Sequence, residues 1–268
     1  TEVAQIAKLG LRGGVLLPGI PPGAAIPQLY AEHWEPLWAA CAEAGLVVNH
    51  HGGNAGPSPP LDGWGGSSFA VWVYETHWFA HRALWHLIFS GAMDRHPDLT
   101  VVFFTEQGAG WIPATLDSLD VAAARYAREG SAIARFAGPT AGSLTLKPSE
   151  FWARQCYVGA SFMRPVECAE RHEIGVDRIM WGSDYPHLEG TGFFTREALR
   201  YTFSGVAPEE VAAMLGGNAA AVYGFDLAAL QPLADRIGPT VAEVAEPLTE
   251  VPAGASSTVF EPDPIRTW

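Results

Sequence analysis

Three places in this 268-residue sequence bring together side chains that can bind a divalent cation or move a proton. Asp184 stands in Trp181-Gly182-Ser183-Asp184-Tyr185-Pro186-His187, behind an apolar run and ahead of a proline that forbids further sheet pairing. His50 and His51 close a second apolar run, Leu46-Val47-Val48-Asn49-His50-His51, ahead of two glycines. Glu106 and Gln107 close a third, Leu99 to Thr105, ahead of Gly108-Ala109-Gly110. Carboxylate and imidazole are the donors that borderline divalent metals take, and either can serve as acid or base.

Each place also has a plainer explanation. Ser183 or Asp184 can form an Asx turn or cap a helix, and local chemistry leaves cap and site even. A histidine beside a turn is more often a satisfied structural residue than a ligand, and Glu106 can be a capping or surface carboxylate. Strand side chains alternate, so only one of His50 and His51 can face a barrel interior. Asn49 shares a face with His51, and a polar Asn suits a solvated mouth, which favours His51 as the inward residue. The Gly-x-Gly turn after Gln107 has no basic residue behind it, so it is a weak phosphate cradle. His77, His81 and His86 fall among Trp78, Trp85 and Phe89 at helical spacing and are expected to be an aromatic packing face. No nucleophile elbow, Walker loop, dinucleotide fingerprint or reactive-cysteine signature is present.

The elements that must position these residues follow from the apolar periodicity. Five short runs, at 12–18, 46–51, 99–105, 155–161 and 178–184, alternate with helical stretches, the pattern of βα units and a parallel sheet. Helices are predicted over 2–9, 34–44 (ended by Gly45), 69–93 as one or two, 112–128, 166–173 and 208–215. Residues 138–149 are expected to be a loop, and 227–268 a wrapping tail behind a main body of 1–226. Active sites of such folds gather at the C-terminal ends of the strands, where Asp184, His50/His51 and Glu106/Gln107 all fall.

The net charge of −13, from 16 basic and 29 acidic residues, argues against a nucleic-acid partner. Three scattered cysteines offer no disulfide framework or metal knuckle and are expected to be buried free thiols. No apolar run reaches transmembrane length and no signal peptide opens the chain, so the expectation is a cytoplasmic protein acting on a small molecule.

Four segments, taken in order, resemble the amidohydrolase-related family whose members include aminocarboxymuconate-semialdehyde decarboxylase and γ-resorcylate decarboxylase. They are GLVVNHHGG (45–53), SGAMDRHPDLTVVFFTEQGAGWIP (90–113), RIMWGSDYPH (178–187) and LGGNAAAVYGFD (215–226). The resemblance implies a (β/α)8 TIM barrel with a divalent metal, zinc or alternatively manganese, at its C-terminal mouth. It puts the family's fifth-strand His at His51, or at His50 if the register slips, and its last-strand Asp at Asp184 as ligand and acid/base group. The sixth-strand His is replaced by Glu106, as ligand, acid/base group or substrate anchor, with Gln107 beside it. His187, Gln107 and Trp111 are expected to contact substrate, and Trp64, Trp72 and Phe162 suit a flat aromatic or enoic acid.

No HxH or DxH strand precedes Arg12, so the barrel is expected to be incomplete. Its first strands would lie upstream of Thr1, and the exposed edges would invite pairing with another chain, such as a second copy. The implied activity is metal-dependent hydrolysis or non-oxidative decarboxylation. The alternative is a non-catalytic barrel, a binding or scaffold protein without the metal.

Overall fold

The structure, a computed structural model, describes residues 2–52, 66–104 and 108–261. It divides into two compact units, Thr1–Thr105 with Ala114–Tyr157, and Glu106–Pro113 with Val158–Trp268.

The first unit contains α1 (Glu2–Leu9), β1 (Val15–Pro18), α2 (Glu35–Ala44), β2 (Val48–His51), α3 (Gly66–Phe89), α4 (Ala92–Arg95) and β3 (Val101–Phe104). It continues through α5 (Ile112–Ala127), α6 (Ala132–Gly142) and α7 (Pro148–Gln155). β1, β2 and β3 are parallel, with Val15 opposite Val48 and Val48 opposite Val101. Their β-branched and aromatic residues are covered on both faces, as parallel strands require: Val48, Val101, Val102 and Phe103 are all at most 1% exposed. Among the described residues β1 is the first strand in the sheet order, and its Leu16 is 66% exposed. α3 is one helix of 24 residues that buries Ala80, Ala83, Leu84, Leu87 and Ile88 at helical spacing. The loop expected over 138–149 is confined to 143–147. Gly138 (φ 79°) breaks the helix, Pro139 restarts it at a position where a missing N–H costs nothing, and Pro148 opens α7 in the same way.

Glu35 at the start of α2 ties that helix to the end of α4. Arg95 Nε donates to its Oε1 at 3.0 Å and Arg95 Nη2 to its Oε2 at 2.6 Å, while His96 Nε2 lies 2.8 Å from Oε1. The Arg95 guanidinium, helped by His96 and opposed by burial, holds the Glu35 carboxyl down from 4.5 to about 2. A depressed carboxylate pKa stabilises the fold above the unfolded-state pKa, and that stabilisation is lost as pH falls through the folded one. Glu35→Gln is therefore expected to flatten the acid limb of a melting-temperature profile between pH 4.5 and about 2, relative to wild type.

The second unit contains β4 (Cys156–Ser161, from Val158 onward), α8 (Pro165–Ala169), α9 (Arg171–Ile174) and β5 (Ile179–Gly182). α10 (Thr195–Phe203), α11 (Pro208–Ala212), α12 (Asn218–Tyr223), α13 (Leu227–Ile237) and α14 (Val241–Ala245) complete it. β4 and β5 are parallel, Val158 opposite Ile179 and Ser161 opposite Gly182. Buried Asn218 fixes where β5 starts by donating from Nδ2 to the carbonyls of Val176 (2.8 Å) and Ile179 (2.7 Å). Thr202 Oγ1 on α10 donates to Met163 O at 2.7 Å, which holds the chain just past β4. The tail is more ordered than its composition suggests: Val259 and Phe260 pack against Ala198 of α10, and Val244 of α14 is buried. All three cysteines are buried and free of disulfides. Among the described residues no helix is long and apolar enough to cross a membrane.

Candidate metal centre and active site

β5 ends at Gly182, and two residues on the chain turns sharply at Asp184, whose φ is +55°. That left-handed conformation is costly for most L-residues and least so for Asp and Asn. Backbone strain of this kind gathers where a side chain must be aimed. Ser183 forms the turn, its Oγ accepting from Tyr185 N–H at 3.4 Å, while Asp184 Oδ2 lies 3.0 Å from His187 Nδ1. The turn-or-cap chemistry thus falls to Ser183, and the Asp184 carboxylate meets an imidazole. Glu189 Oε1 is 3.9 Å from the same His187 nitrogen, and one ligand atom from each of Asp184, His187 and Glu189 lies within 4.8 Å of the others. Sequence reasoning missed Glu189; the Asp-x-x-His-x-Glu spacing was the available signal.

The loop is closed by its own backbone. Thr191 N–H donates to Ser183 O (3.0 Å), His187 N–H to Asp184 O (2.9 Å) and Gly190 N–H to His187 O (3.1 Å). Those three carbonyl oxygens crowd Gly190, where a Cβ would approach to 2.8, 2.9 and 3.0 Å. Gly190→Ala must therefore displace the backbone carrying Asp184. We expect it to cost about 1–3 kcal/mol in a urea titration, as overpacking does, and to lower kcat/KM roughly a hundredfold through misplacement of the carboxylate.

At the end of β2 the two histidines part company. His50 is buried, with Nδ1 3.1 Å from Leu17 O and Nε2 2.9 Å from Ala80 O, so it bridges β1 and α3. Burial pushes its pKa down to about 4, against the two carbonyl contacts and with the neighbouring His51 adding to the depression. Neutral at pH 7, His50 donates to one of these carbonyls and packs against the other, so neither ring nitrogen is open to a metal. His51, the last residue of β2, is half-buried opposite Pro18 and Phe104. The solvated-mouth argument made for Asn49 is corrected. Asn49 is 7% exposed and donates from Nδ2 to the carbonyls of Gly13 and Val15, so its polarity serves the start of β1.

Glu106, Gln107 and Trp64 lie outside the described residues. The turn that follows Gln107 is held by a residue that sequence reasoning missed. Glu167 on α8, 5% exposed, accepts from Ala109 N–H (3.1 Å) and Gly110 N–H (3.0 Å) through Oε1 and from Arg164 N–H (2.8 Å) through Oε2. The Gly-x-Gly turn is thus an anion cradle filled by the protein's own carboxylate, which leaves these N–H groups none to give a phosphate. Gly108 (φ +63°) is required there, since a Cβ would lie 2.2 Å from Glu167 Oε1. Glu167 is also the third residue of α8, behind Pro165, and its bond to Arg164 N–H caps that helix. Trp111 follows the turn and is half-buried, Phe162 sits just past β4 with φ +57°, and Trp72 packs on Phe69 with ring centroids 5.8 Å apart. His86 is buried and Trp78 packs on Trp85, consistent with the packing face expected there.

The sequence profile of the amidohydrolase family matches residues 1–225. No curated protein sequence matches the chain. Among solved structures the chain is similar to an amidohydrolase from Mycobacterium avium subsp. paratuberculosis, at 22% identity and a TM-score of 0.61 over 84% of this chain and 55% of that one. It is similar to 5-carboxyvanillate decarboxylase from Sphingomonas paucimobilis at 20% identity and a TM-score of 0.59, covering 84% and 63%. It is also similar to a dihydroxybenzoic acid decarboxylase from a Polaromonas species, with bound manganese and the inhibitor 2-nitroresorcinol, at 20% identity and a TM-score of 0.56, covering 83% and 64%. The chain therefore spans well under two thirds of the first of these relatives, 55% of its length. At such identities the likeness shows the fold, that of the α/β barrel expected from the sequence.

Proposed function

The chain belongs to the amidohydrolase family, and from that premise we propose that it carries strand-end residues of a divalent-metal-dependent enzyme that decarboxylates a small aromatic or enoic carboxylic acid without an oxidant. The observation that carries this reading is Asp184, aimed by a left-handed turn just past β5 and met at 3.0 Å by His187. The donor set fits a divalent cation: a half-buried carboxylate with an imidazole and a second carboxylate beside it. Asp184 would hold the ion with His187 or Glu189 beside it, and Glu106 is the proposed further ligand or acid/base group. Manganese, present in a decarboxylase of similar fold, and zinc are the ions of choice.

A divalent ion held there would supply Lewis-acid polarisation of a substrate oxygen. The chain's own residues do the rest. His187 fixes the rotamer of Asp184, so the carboxylate points one oxygen at its partner. Asp184, holding on one oxygen a proton taken from solvent, would deliver it to the substrate carbon as the bond to the carboxyl group breaks; that bond's electron pair takes the proton on the carbon and carbon dioxide leaves. Glu167 holds the turn after Gln107 at the Ala109 and Gly110 N–H groups. Trp111 and Phe162 offer apolar area beside these strand ends for a flat substrate. The same pair would serve hydrolysis, where the proton passes to a leaving group instead, and the family membership supports that second reading.

The test is product analysis with the full-length protein, supplied with manganese or zinc and a panel of hydroxybenzoates and enoic acids. Release of carbon dioxide with the decarboxylated ring or alkene as co-product is the expected result. Hydrolysis products alone would replace the decarboxylase reading with the hydrolase one, and no turnover of any ester, amide or acid with either ion would contradict both.

A further inference from the structure

In the first unit α3 carries an apolar face that is largely exposed. Val71, Tyr74 and Trp78 follow one another at three- and four-residue spacing on one side of the helix, with Val71 and Trp78 each 54% and Tyr74 79% exposed. Single large apolar residues on a surface are ordinary, whereas a contiguous stripe of them marks a contact surface. The stripe runs on through Trp85 and Phe89 into a cleft of about 1010 Å³. Tyr30, Tyr126, Ile133 and Phe136 supply its remaining apolar walls, and Phe136 is 87% exposed.

Charge and spacing select the occupant. Glu75 and Arg82 are the only Asp, Glu, Lys or Arg residues in this 24-residue helix, so α3 is formally neutral in a chain of net charge −13. Two copies of so acidic a chain repel one another except through a neutral or self-complementary face. Glu75 is exposed, and both it and the half-buried Arg82 flank Trp78 at helical spacing. Arg82 Nη2 faces Gln28 Oε1 at 3.5 Å and His86 Nε2 at 3.4 Å, and its Nε and Nη1 meet no acceptor among the described residues.

We propose that this face joins two copies of the chain, α3 against α3 in antiparallel array about a two-fold axis at Trp78. Residues equally far before and after Trp78 then meet across the axis. Tyr74 of each copy reaches Arg82 of the other, with Glu75 beside it, so the guanidinium gains a ring face and a counter-charge. Val71 of each copy reaches Trp85 of the other, at the entrance to the cleft. Each copy thus offers both the protruding side chains and the recess that receives them, as an isologous contact requires. The pairing goes beyond the catalytic reading and does not depend on it.

Sedimentation velocity of the full-length protein at micromolar concentration tests this, and wild type is expected to run as a dimer. Tyr74→Arg sets one guanidinium against another at both ends of the contact and is expected to raise the dimer Kd about a hundredfold. Tyr74→Glu removes the same ring but brings a carboxylate to Arg82, and its effect is expected to be about tenfold smaller. Leu9→Arg, at a 62% exposed apolar residue of α1, is expected to leave the dimer intact. All three positions are exposed, so the variants are expected to fold. A monomeric wild type, which would leave the face to another occupant, overturns the proposal, as does a Tyr74→Arg protein that dimerises like wild type. Equal weakening by Tyr74→Arg and Tyr74→Glu overturns the antiparallel pairing with Arg82.

Discussion

Asp184→Asn is expected to lower kcat/KM by about a thousandfold or more while leaving the fold intact. The substitution keeps the volume of the side chain and its tolerance for φ +55°, so the turn past β5 survives. The amide oxygen can still accept from His187 Nδ1, now 3.0 Å from Oδ2, so the loop keeps its closure. What disappears is the negative charge, and with it both the capacity to hold a divalent ion and the capacity to carry a proton. The comparison with Asp184→Ala separates the two kinds of loss. Alanine tolerates the left-handed turn less well and is expected to lower stability by about 1 kcal/mol more than asparagine, at similar activity. Stopped assays beside urea titrations of both variants provide the check. An Asp184→Asn protein with wild-type turnover would remove this residue from the chemistry.

Glu167 carries the largest expected effect on stability. Its carboxylate is buried and answers three backbone N–H groups from two loops, at 2.8 to 3.1 Å. Glu167→Leu leaves one buried and two half-buried donors without their acceptor, and a cost of about 2–4 kcal/mol follows from the usual penalty for orphaned groups. Glu167→Gln is the more informative change. Its single carbonyl oxygen can answer one loop, while its NH₂ turns a donor towards a donor. It is expected to fold with reduced stability and to lose activity roughly a hundredfold, because the turn after Gln107 drifts from its place. A Glu167→Gln protein that is destabilised yet fully active would show that the turn serves the fold alone. Glu167→Asp, shorter by one methylene, should recover part of the stability and little of the activity.

The parts of this architecture that the sequence announces are those set by local pattern. The strands declare themselves because buried parallel strands need near-continuous apolar residues, and each of the five lies within a run recognisable by eye. Asp184 was legible because a carboxylate followed by a proline after such a run has few structural uses. Glu167 was not, since what distinguishes it is a partner brought close by folding, a turn some 57 residues away, whereas Glu189 was open to the Asp-x-x-His-x-Glu spacing and was missed. The choice between His50 and His51 shows the limit well. Alternation says that the two point to opposite faces but not which face meets α3, and only the carbonyls of Leu17 and Ala80 decide that. Asn49 misled because polarity was read as solvent contact, when a buried amide can be satisfied by the backbone of a neighbouring strand. The loop expected over 138–149 missed that Pro139 suits a helix start, since the ring that cannot continue one helix fits the first turn of another.

The central claim is that Asp184 belongs to a metal centre, and metal content tests it most directly. The full-length protein, purified without chelators, is predicted to retain about one divalent ion per chain by inductively coupled plasma mass spectrometry, the stoichiometry of a mononuclear site. Asp184→Asn is predicted to lose that ion while unfolding at a similar urea concentration. A wild-type protein that is fully folded, carries no ion and takes up neither manganese nor zinc in equilibrium dialysis would contradict the account.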